Sequence, residues 1–365
     1  MLQDKTVAVV VPAYNEEKQI GMVIETMPEF VDRIIVVNDN STDSTKEIVL
    51  GYLKTSYNSS KIKLNKTKLQ RTFHNEADMI LDEINKQEIR FFTPSTIIND
   101  YPTDDRIILI SNLENSGVGG SIARGYKWCK DNDIECTAVM AGDGQMDPGE
   151  LESICLPVVN GEVDYTKGNR LIHGSANIFI PKTRFFGNSV LSLFTKIASG
   201  YWRISDTQTG FTAISLKALK AIRLQEIYKK YGMPNDMLVK LNIAYCTIRE
   251  VPIKPVYRIG EQSKMKIGKV IPKISFLLLK SFIKRIWFKY FFKDFHPLFL
   301  LYNLSFILFL ASIPFLVKII KHAFITHTDA NPVTVLAFIF LFISSFQSML
   351  FAMWMDIQDN ERLYK

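Results

Sequence analysis

The chain has 365 residues, a formal net charge of +7 and a pI near 9.0, enough for one sizeable domain plus an appendage or for two small domains. An excess of base admits a nucleic-acid or a membrane partner, and the distribution of the charges speaks for a membrane and against nucleic acid. Between Glu261 and Asp294 the bases Lys264, Lys266, Lys269, Lys273, Lys280, Lys284, Arg285, Lys289 and Lys293 run without an acid and alternate with large apolar side chains, and the apolar spans Pro297 to Ile320 and Val333 to Trp354 follow. Each span is about long enough to cross a bilayer core. Cys129, Cys136, Cys155 and Cys246 lack metal-type pairing and read as buried, reduced thiols, which favours a cytoplasmic setting for the folded part. Val7 to Val11 is too short for the apolar core of a cleavable signal, so none is expected.

In chain order, Thr6 to Val11 reads as a fully buried strand, Pro12 to Asn15 as a loop and Glu16 to Met27 as a helix. Arg33 to Asn38 repeats the strand, a polar loop runs to Thr45, and Lys46 to Leu53 reads as a helix. Strand, polar loop and helix, twice over, predict a parallel α/β sheet with ligands beyond the carboxyl ends of its strands. Asp39 is then placed to accept hydrogen bonds from a ribose or a base; Asp43 suits that role and the N-cap of the next helix equally. Tyr52 to Asp105, polar and rich in Lys and Asn with one helix near Glu76 to Lys86, reads as an insertion, a mobile cover or an oligomer contact, too poor in apolar residues for its own core. Its His74 and Glu76 read as a solvated face.

The rhythm resumes with a strand at Arg106 to Ser111 and a Gly-rich loop, Asn115-Ser116-Gly117-Val118-Gly119-Gly120, opening a helix to about Lys130. Glycines at a helix start let backbone N–H groups approach an anion; Arg124, further along, faces either a phosphate or the solvent. Ala138 to Met140 is a short apolar strand ending in Gly142-Asp143-Gly144-Gln145, with Asp147-Pro148 opening a helix. One carboxylate and one amide at a strand tip outline a site for Mg2+ or Mn2+ shared with phosphates, and on these residues alone an ordinary turn is an equal reading. Asp164 to Lys167 leads to Gly168-Asn169-Arg170, Lys182 to Ser199 reads as a helix, and Tyr201 to Phe211 carries Asp206 and Gln208 between Trp202 and Phe211, a setting suited to sugar hydroxyls. Asp236 is either the cap of a helix or an active-site acid, and Thr247 to Lys254 is a strand.

Taken together, Pro12-Ala13-Tyr14-Asn15-Glu16, Asp39 with Ser41 and Asp43, Asn115 with Gly117, Gly142-Asp143-Gly144-Gln145, Gly168-Asn169-Arg170 and Asp206-Thr207-Gln208-Thr209-Gly210-Phe211 resemble family 2 glycosyltransferases of the GT-A fold. Within that family they are most similar to the polyprenyl-phosphate sugar transferases, the dolichyl-phosphate mannose synthase type. The resemblance implies a nucleotide-sugar donor held by Pro12, Tyr14, Asn15, Glu16 and Asp39, with Asn115, Gly117, Arg124, Gly142 and Asp143 completing the donor side. It implies a Mg2+ or Mn2+ ion on Asp143 and Gln145, an acceptor side with Asp206, Gln208 and Asp236, and a basic loop, Tyr257 to Lys264, whose Arg258 and Lys264 close over the phosphates. Arg170 is assigned to the acceptor phosphate because a planar guanidinium fork matches phosphate oxygens. The chain departs from the family at Ala141, where the first of two acids usually stands, which predicts weaker or more donor-dependent metal binding.

The expected architecture is therefore an α/β GT-A catalytic domain with a mixed, mainly parallel sheet over residues 1–264, including the 52–105 insertion. Basic amphipathic juxtamembrane helices follow over 265–296, a two-helix transmembrane hairpin over 297–354 and a cytoplasmic tail over 355–365. Lys269, Lys273, Lys280 and Lys284 share one helical face and Ile271, Ile274, Leu278 and Phe282 fall elsewhere, which predicts a helix lying on anionic lipid; Arg285, Lys289 and Lys293 are rotated from it, which predicts a second short helix. The basic flank places the catalytic domain at the cytoplasmic face. The implied function is inverting transfer of a hexose from a UDP- or GDP-linked donor to polyprenyl phosphate, by an enzyme that is a candidate homo-oligomer. The alternatives are transfer to another lipid or a polysaccharide, and a catalytically silent nucleotide-sugar-binding membrane protein.

Overall fold

A computed structural model of the protein describes residues 1–55, 58, 70–172, 174, 182–256 and 267–365. Its central strand, β1 (Val7–Ala13), is almost wholly apolar and buried on both faces, as a strand sandwiched between helical layers must be. In chain order there follow α1 (Ile20–Glu25), β2 (Arg33–Asn38), α2 (Thr45–Leu53), α3 (Glu76–Gln87), β3 (Ser95–Ile97), β4 (Ile107–Asn112), α4 (Val118–Asp131), β5 (Cys136–Val139), α5 (Leu151–Val159), β6 (Tyr165–Asn169), α6 (Lys182–Ser199), β7 (Thr212–Ser215), α7 (Leu216–Ala221), α8 (Met233–Ile243), β8 (Ile248–Pro252), α9 (Ile267–Trp287), α10 (Pro297–Lys321) and α11 (Pro332–Glu361).

The eight strands form one sheet in the order β3-β4-β2-β1-β5-β7-β6-β8, with β3 and β7 antiparallel to their neighbours and the rest parallel. Alternation divides the core. Ala8, Val10, Ile35, Val37, Ile108 and Ile110 pack with α4, α7 and α8 on one face, whereas Val7, Val9, Val11, Ile34 and Val36 pack with α1 and α5 on the other. All the parallel strands point their carboxyl ends to one edge, so the loops after β1, β2, β4, β5 and β6 gather there, and the segment entering β7 joins them.

The insertion contributes more than the expected helix. Asn58 accepts from Ile107 N at 2.8 Å, and β3 extends the sheet antiparallel to β4. Helix α3 buries none of its residues and is moored at its end, where Lys127 of α4 donates to the Asn85 carbonyl at 2.7 Å and Lys130 pairs with Glu88 at 3.0 Å.

The basic segment departs from the two short lipid-lying helices expected of it. Helix α9 is continuous and runs into a π-helical turn at Phe288–Lys293. Ile274 and Leu278, part of the stripe expected to leave the protein, pack instead on Ala198 of α6 and Val239 of α8; the exposed apolar side chains are Phe276, Leu279, Ile283, Trp287 and Phe288. Arg285 and Lys289 are fully buried and do not face lipid head groups. Arg285 forms a two-pronged pair with Asp356 of α11 at 2.7 and 2.8 Å and donates to the carbonyls of Ala198 and Ile197 at 2.9 and 3.0 Å. Lys289 donates to Asn242 and Asn360. Asp356 and Asn360 each lie 71 residues on in sequence from the base they meet, and pairing across that distance is invisible to a helical wheel.

Helices α10 and α11 form an antiparallel hairpin in which Ser305 and Ser345 each donate to the other's carbonyl, at 2.9 and 2.8 Å. The candidate spans Pro297–Ile325 and Pro332–Glu361 have only 11% of their most apolar windows buried, unlike core helices of a soluble domain. The first end of the hairpin packs on α9 and its π-helical turn through Leu298 and Phe299, and the second meets the α/β domain. The last residues continue into it: Ile248 N donates to Leu363 O at 2.8 Å, Lys365 N to Ile248 O at 2.9 Å, and Leu363 enters the core.

Substituting Asp356→Ala strands the Arg285 charge in a dry interior and is expected to cost about 3–5 kcal/mol. Thermal unfolding of the detergent-solubilised chain checks this; an unchanged midpoint rejects the pairing as a structural bolt.

Candidate active site

The half of the carboxyl edge built from the loops after β1, β2 and β4 is stitched loop to loop. Asn15, in the left-handed region at φ 57°, donates its N–H to Ser41 Oγ at 3.1 Å and accepts from Thr42 N at 2.8 Å. Glu16 N donates to Thr45 Oγ1 at 2.8 Å and Glu17 N to Asp43 Oδ2 at 3.1 Å, while Thr45 N donates to Asp43 Oδ1. Asp43, one residue before the N-cap Ser44, thus takes the first N–H of α2 and ties that helix to the first loop in one arrangement. Pro12 lies at the end of β1, where Gly142 N donates to its carbonyl at 3.3 Å; Tyr14 is exposed on the following loop.

Asp39 is the hub of this half. Its Oδ1 accepts from Asn112 Nδ2 at 2.8 Å and from Ser116 N and Oγ at 2.7 Å, and its Oδ2 accepts from Gly117 N at 2.8 Å. Asn115 closes the knot by donating to Asp39 O at 3.2 Å. The N–H groups expected to approach a substrate anion are therefore met by the protein's own carboxylate, and Gly119 N donates to Lys229 O at 2.9 Å. Gly117 has φ +76°, and a Cβ there would lie 2.4 Å from that same Lys229 oxygen, so this glycine serves close packing against residues 228–230. Arg124 is also placed differently from expectation: it is buried two turns into α4 and donates to Ser95 Oγ of β3 at 2.7 Å.

At the centre, β5 ends and the chain turns through Gly142, Asp143, Gly144 and Gln145. Gln145 N donates to Asp143 Oδ1 at 3.0 Å, and Gly144 takes φ +74°, a conformation that a side chain would strain. Both polar side chains are partly exposed at the edge, and Ala141 beside them donates its N–H to Met146 Sδ.

The other half, built from the end of β6 and the segment entering β7, is a charge cluster. Arg170, immediately after β6, forks onto Asp206: Nε to Oδ2 at 2.8 Å, one terminal nitrogen to Oδ1 at 3.0 Å, and its backbone N to Oδ2 at 3.2 Å. Burial would raise the Asp206 carboxyl, but Arg170 and nearby Lys167 override it and hold the group below the usual carboxylate range. Gln208 reaches this cluster through its backbone, whose N–H donates to Asp206 Oδ1 at 3.2 Å, whereas Asp236 stands apart from it. Gln208 Nε2 donates to Asn235 Oδ1 at 3.0 Å, fastening the 205–208 segment to α8. Asp236, in the first turn of α8, accepts from Tyr228 N and from Lys240 Nζ, each at 2.8 Å; the N-cap of α8 is Gly232, so Asp236 is not the helix cap expected as one of its two roles. Arg258 and Lys264 lie outside the described residues.

The profile of glycosyl transferase family 2 matches residues 8–72 and 94–223, more than half of the chain. The chain belongs to this family. Its eight-stranded mixed sheet, with the loops of its parallel strands meeting at one carboxyl edge, is the GT-A fold. This glycosyltransferase is 28% identical over 257 residues to a UDP-N-acetylglucosamine–dolichyl-phosphate N-acetylglucosaminyltransferase of Methanococcus voltae, covering 70% of the chain and 88% of that relative. It is 26% identical over 279 residues to a dolichyl-phosphate beta-glucosyltransferase of Trichomonas vaginalis, covering 72% and 66%. A solved glucosyl-3-phosphoglycerate synthase of Mycobacterium tuberculosis aligns with TM-score 0.47 and 15% identity over 77% of the chain and 81% of its own.

Two residues of the glycosyltransferase's charge cluster escaped the sequence. Glu250 of β8 accepts from Ser205 N and Asp206 N at 3.0 and 2.9 Å, and Lys167 of β6 is buried among Asp206, Arg170 and Glu250. A lysine inside a strand buried on both faces was the signal that pointed to them.

The Asp206 carboxyl titrates lower in the folded than in the unfolded chain, so its stabilisation is complete above the ordinary value of 3.8 and lost as pH falls through the folded value. The stability advantage of the wild type over Asp206→Asn is expected to hold at pH 6 and shrink below about pH 4. Chemical denaturation at stepped pH checks it; an advantage that grows on acidification contradicts the pairing.

Proposed function

We propose that this glycosyltransferase moves a hexose from a nucleotide sugar, UDP- or GDP-linked, to polyprenyl phosphate at the cytoplasmic face of a membrane. The observation that carries it is one sheet edge with a donor half organised on Asp39, an acceptor half organised on Arg170 and Asp206, and two apolar helices bolted to the same domain through Arg285 and Asp356. The dolichyl-phosphate relatives support the acceptor class, and the UDP-linked donor of one supports the nucleotide.

The donor set at the edge suits a hard divalent cation. Asp143 and Gln145 offer a carboxylate and an amide oxygen, and no group of three His, Cys, Asp or Glu that would cage a metal exists among the described residues. That set matches Mg2+ or Mn2+ sharing its shell with diphosphate oxygens and water. Bound there, the cation would neutralise charge developing on the leaving diphosphate. Pro12, Tyr14, Asn15, Glu16, Asp39, Asn115 and Gly142 shape the cradle for the nucleotide.

On the acceptor side a quarter of the Arg170 side chain is accessible, whereas Asp206 is almost wholly enclosed. A phosphate can therefore share or capture the guanidinium fork from the open side while Asp206 holds its far side in line. The attacking phosphate oxygen is already anionic near neutral pH, so no strong base is required and Asp206 orients the arginine. Attack on the anomeric carbon in a single displacement inverts its configuration.

The purified chain with polyprenyl phosphate, a divalent cation and a panel of nucleotide sugars is expected to release nucleoside diphosphate only when lipid phosphate is present. Release without lipid phosphate, or onto other acceptors, defeats the proposal, and silence with every donor favours the non-catalytic alternative that Ala141 suggests. Asp143→Asn is expected to lower turnover about a hundredfold or more; near-normal transfer at saturating Mn2+ removes it from the metal site. Proton NMR of the product is expected to show an anomeric configuration opposite to that of the donor, and retention excludes the single displacement.

A further inference from the structure

Lys167 is a charged side chain with no role in the chemistry above and only 1% exposure. Register explains where it sits. In β6, Tyr165, Lys167 and Asn169 alternate onto one face, and Lys167 is the cross-strand partner of Glu250 in β8 and of Thr212 in β7. Its ammonium donates to the carbonyl of Thr209, at the far end of the 205–209 segment. Asn169 Nδ2 donates to Ser205 Oγ at 2.5 Å at the near end, and Glu250 accepts from the two backbone N–H groups of Ser205 and Asp206. The segment carrying Asp206 is thus pinned at both ends by β6 and underneath by β8.

Among the described residues the charges that act on one another here are Lys167, Arg170, Asp206 and Glu250, two of each sign. If the Arg170 side chain turns toward an acceptor phosphate, Asp206 loses its strongest partner while still enclosed and keeps the backbone N–H groups of Arg170 and Gln208, which do not neutralise it; a buried carboxylate without a balancing cation is strongly disfavoured. We infer that Lys167 is a positioning residue that acts through Asp206, supplying the second positive charge that keeps this carboxylate ionised and in place while Arg170 engages the acceptor. The inference rests on the assignment of Arg170 to the acceptor phosphate. Lys167 itself touches no substrate; it makes the release of Arg170 affordable.

Burial, the largest influence, lowers the Lys167 ammonium to about 8 against the opposing pull of Asp206 and Glu250, and Arg170 lowers it further. Below that value Lys167 is charged and compensates Asp206. Above it the charge is lost, Asp206 keeps only Arg170 as a charged partner among the described residues, with the Gln208 N–H still on Oδ1, and the arginine clamp tightens against the incoming phosphate.

The experiment combines a pH series with a double-mutant cycle on the full chain in detergent. In the wild type, KM for polyprenyl phosphate is expected to rise about tenfold or more as pH climbs past about 8, with KM for the nucleotide sugar steady. Lys167→Met is expected to show the high acceptor KM at every pH, and to cost little further in an Asp206→Asn background. Coupling between the two positions is read in parallel from unfolding midpoints of the single and double variants. A flat wild-type profile, or a Lys167→Met penalty undiminished in the Asp206→Asn background, overturns the inference, and the wild-type series decides even if the variant folds poorly. Coupled midpoints with no wild-type turnover on polyprenyl phosphate would instead defeat the acceptor assignment and leave the dependence of Asp206 on Lys167 standing.

Discussion

Asp39, Asp206 and Asp356 are all enclosed, at 3%, 2% and 0% exposure, and a carboxylate so enclosed persists only where fixed N–H groups or cations replace its water. The molecule meets that demand three times, with three kinds of partner. Asp39 is met by two backbone N–H groups, a hydroxyl and an amide from the loop after β4; Asp206 by the fork and backbone N–H of Arg170; Asp356 by the buried Arg285 and the hydroxyl of Tyr290. Because each carboxylate needs partners from elsewhere in the chain, each becomes a joint. Asp39 binds β2 to the start of α4, Asp206 binds the strand-entry segment to β6, and Asp356 binds the apolar hairpin to α9.

These joints lie in series along the route that donor, acceptor and membrane must share. Arg285 grips the carbonyls of Ile197 and Ala198 at the end of α6, and the chain from there reaches Asp206 within eight residues of Ala198. The base of the hairpin is thereby connected to the acceptor cluster through rigid hydrogen bonds rather than through a loose linker. An enzyme that takes a lipid phosphate benefits from that stiffness, since a guanidinium fork displaced by an ångström loses much of its advantage.

Much of the candidate site was legible in the sequence because strand ends with polar loops have few places to go. Pro12 to Glu16, Asp39 and Gly142 to Gln145 each follow a short apolar strand, and parallel pairing carries them to one edge. Roles were less legible than places. Gly117 looked like an opening for an anion and is an opening for the backbone of residues 228–230; Arg124 looked like a phosphate ligand and holds Ser95; Asp236 was poised between two roles and holds Tyr228 and Lys240. A glycine, an arginine or an aspartate declares its chemistry in sequence but not its partner, and the partner decides the role.

Apolar periodicity and turn chemistry by themselves determined the α/β class, the order of the parallel strands' loops, the insertion and the pair of long apolar helices, because each is a property of neighbouring residues. Only the tertiary structure decided which charges are shut inside. Arg285 and Lys289 read as a basic face for lipid until Asp356, Asp359 and Asn360 return from the far end of the hairpin to meet them, and Lys167 read as part of a strand until the register set Glu250 beside it. Charge compensation acts across space rather than along the chain, which is why it had to be seen folded.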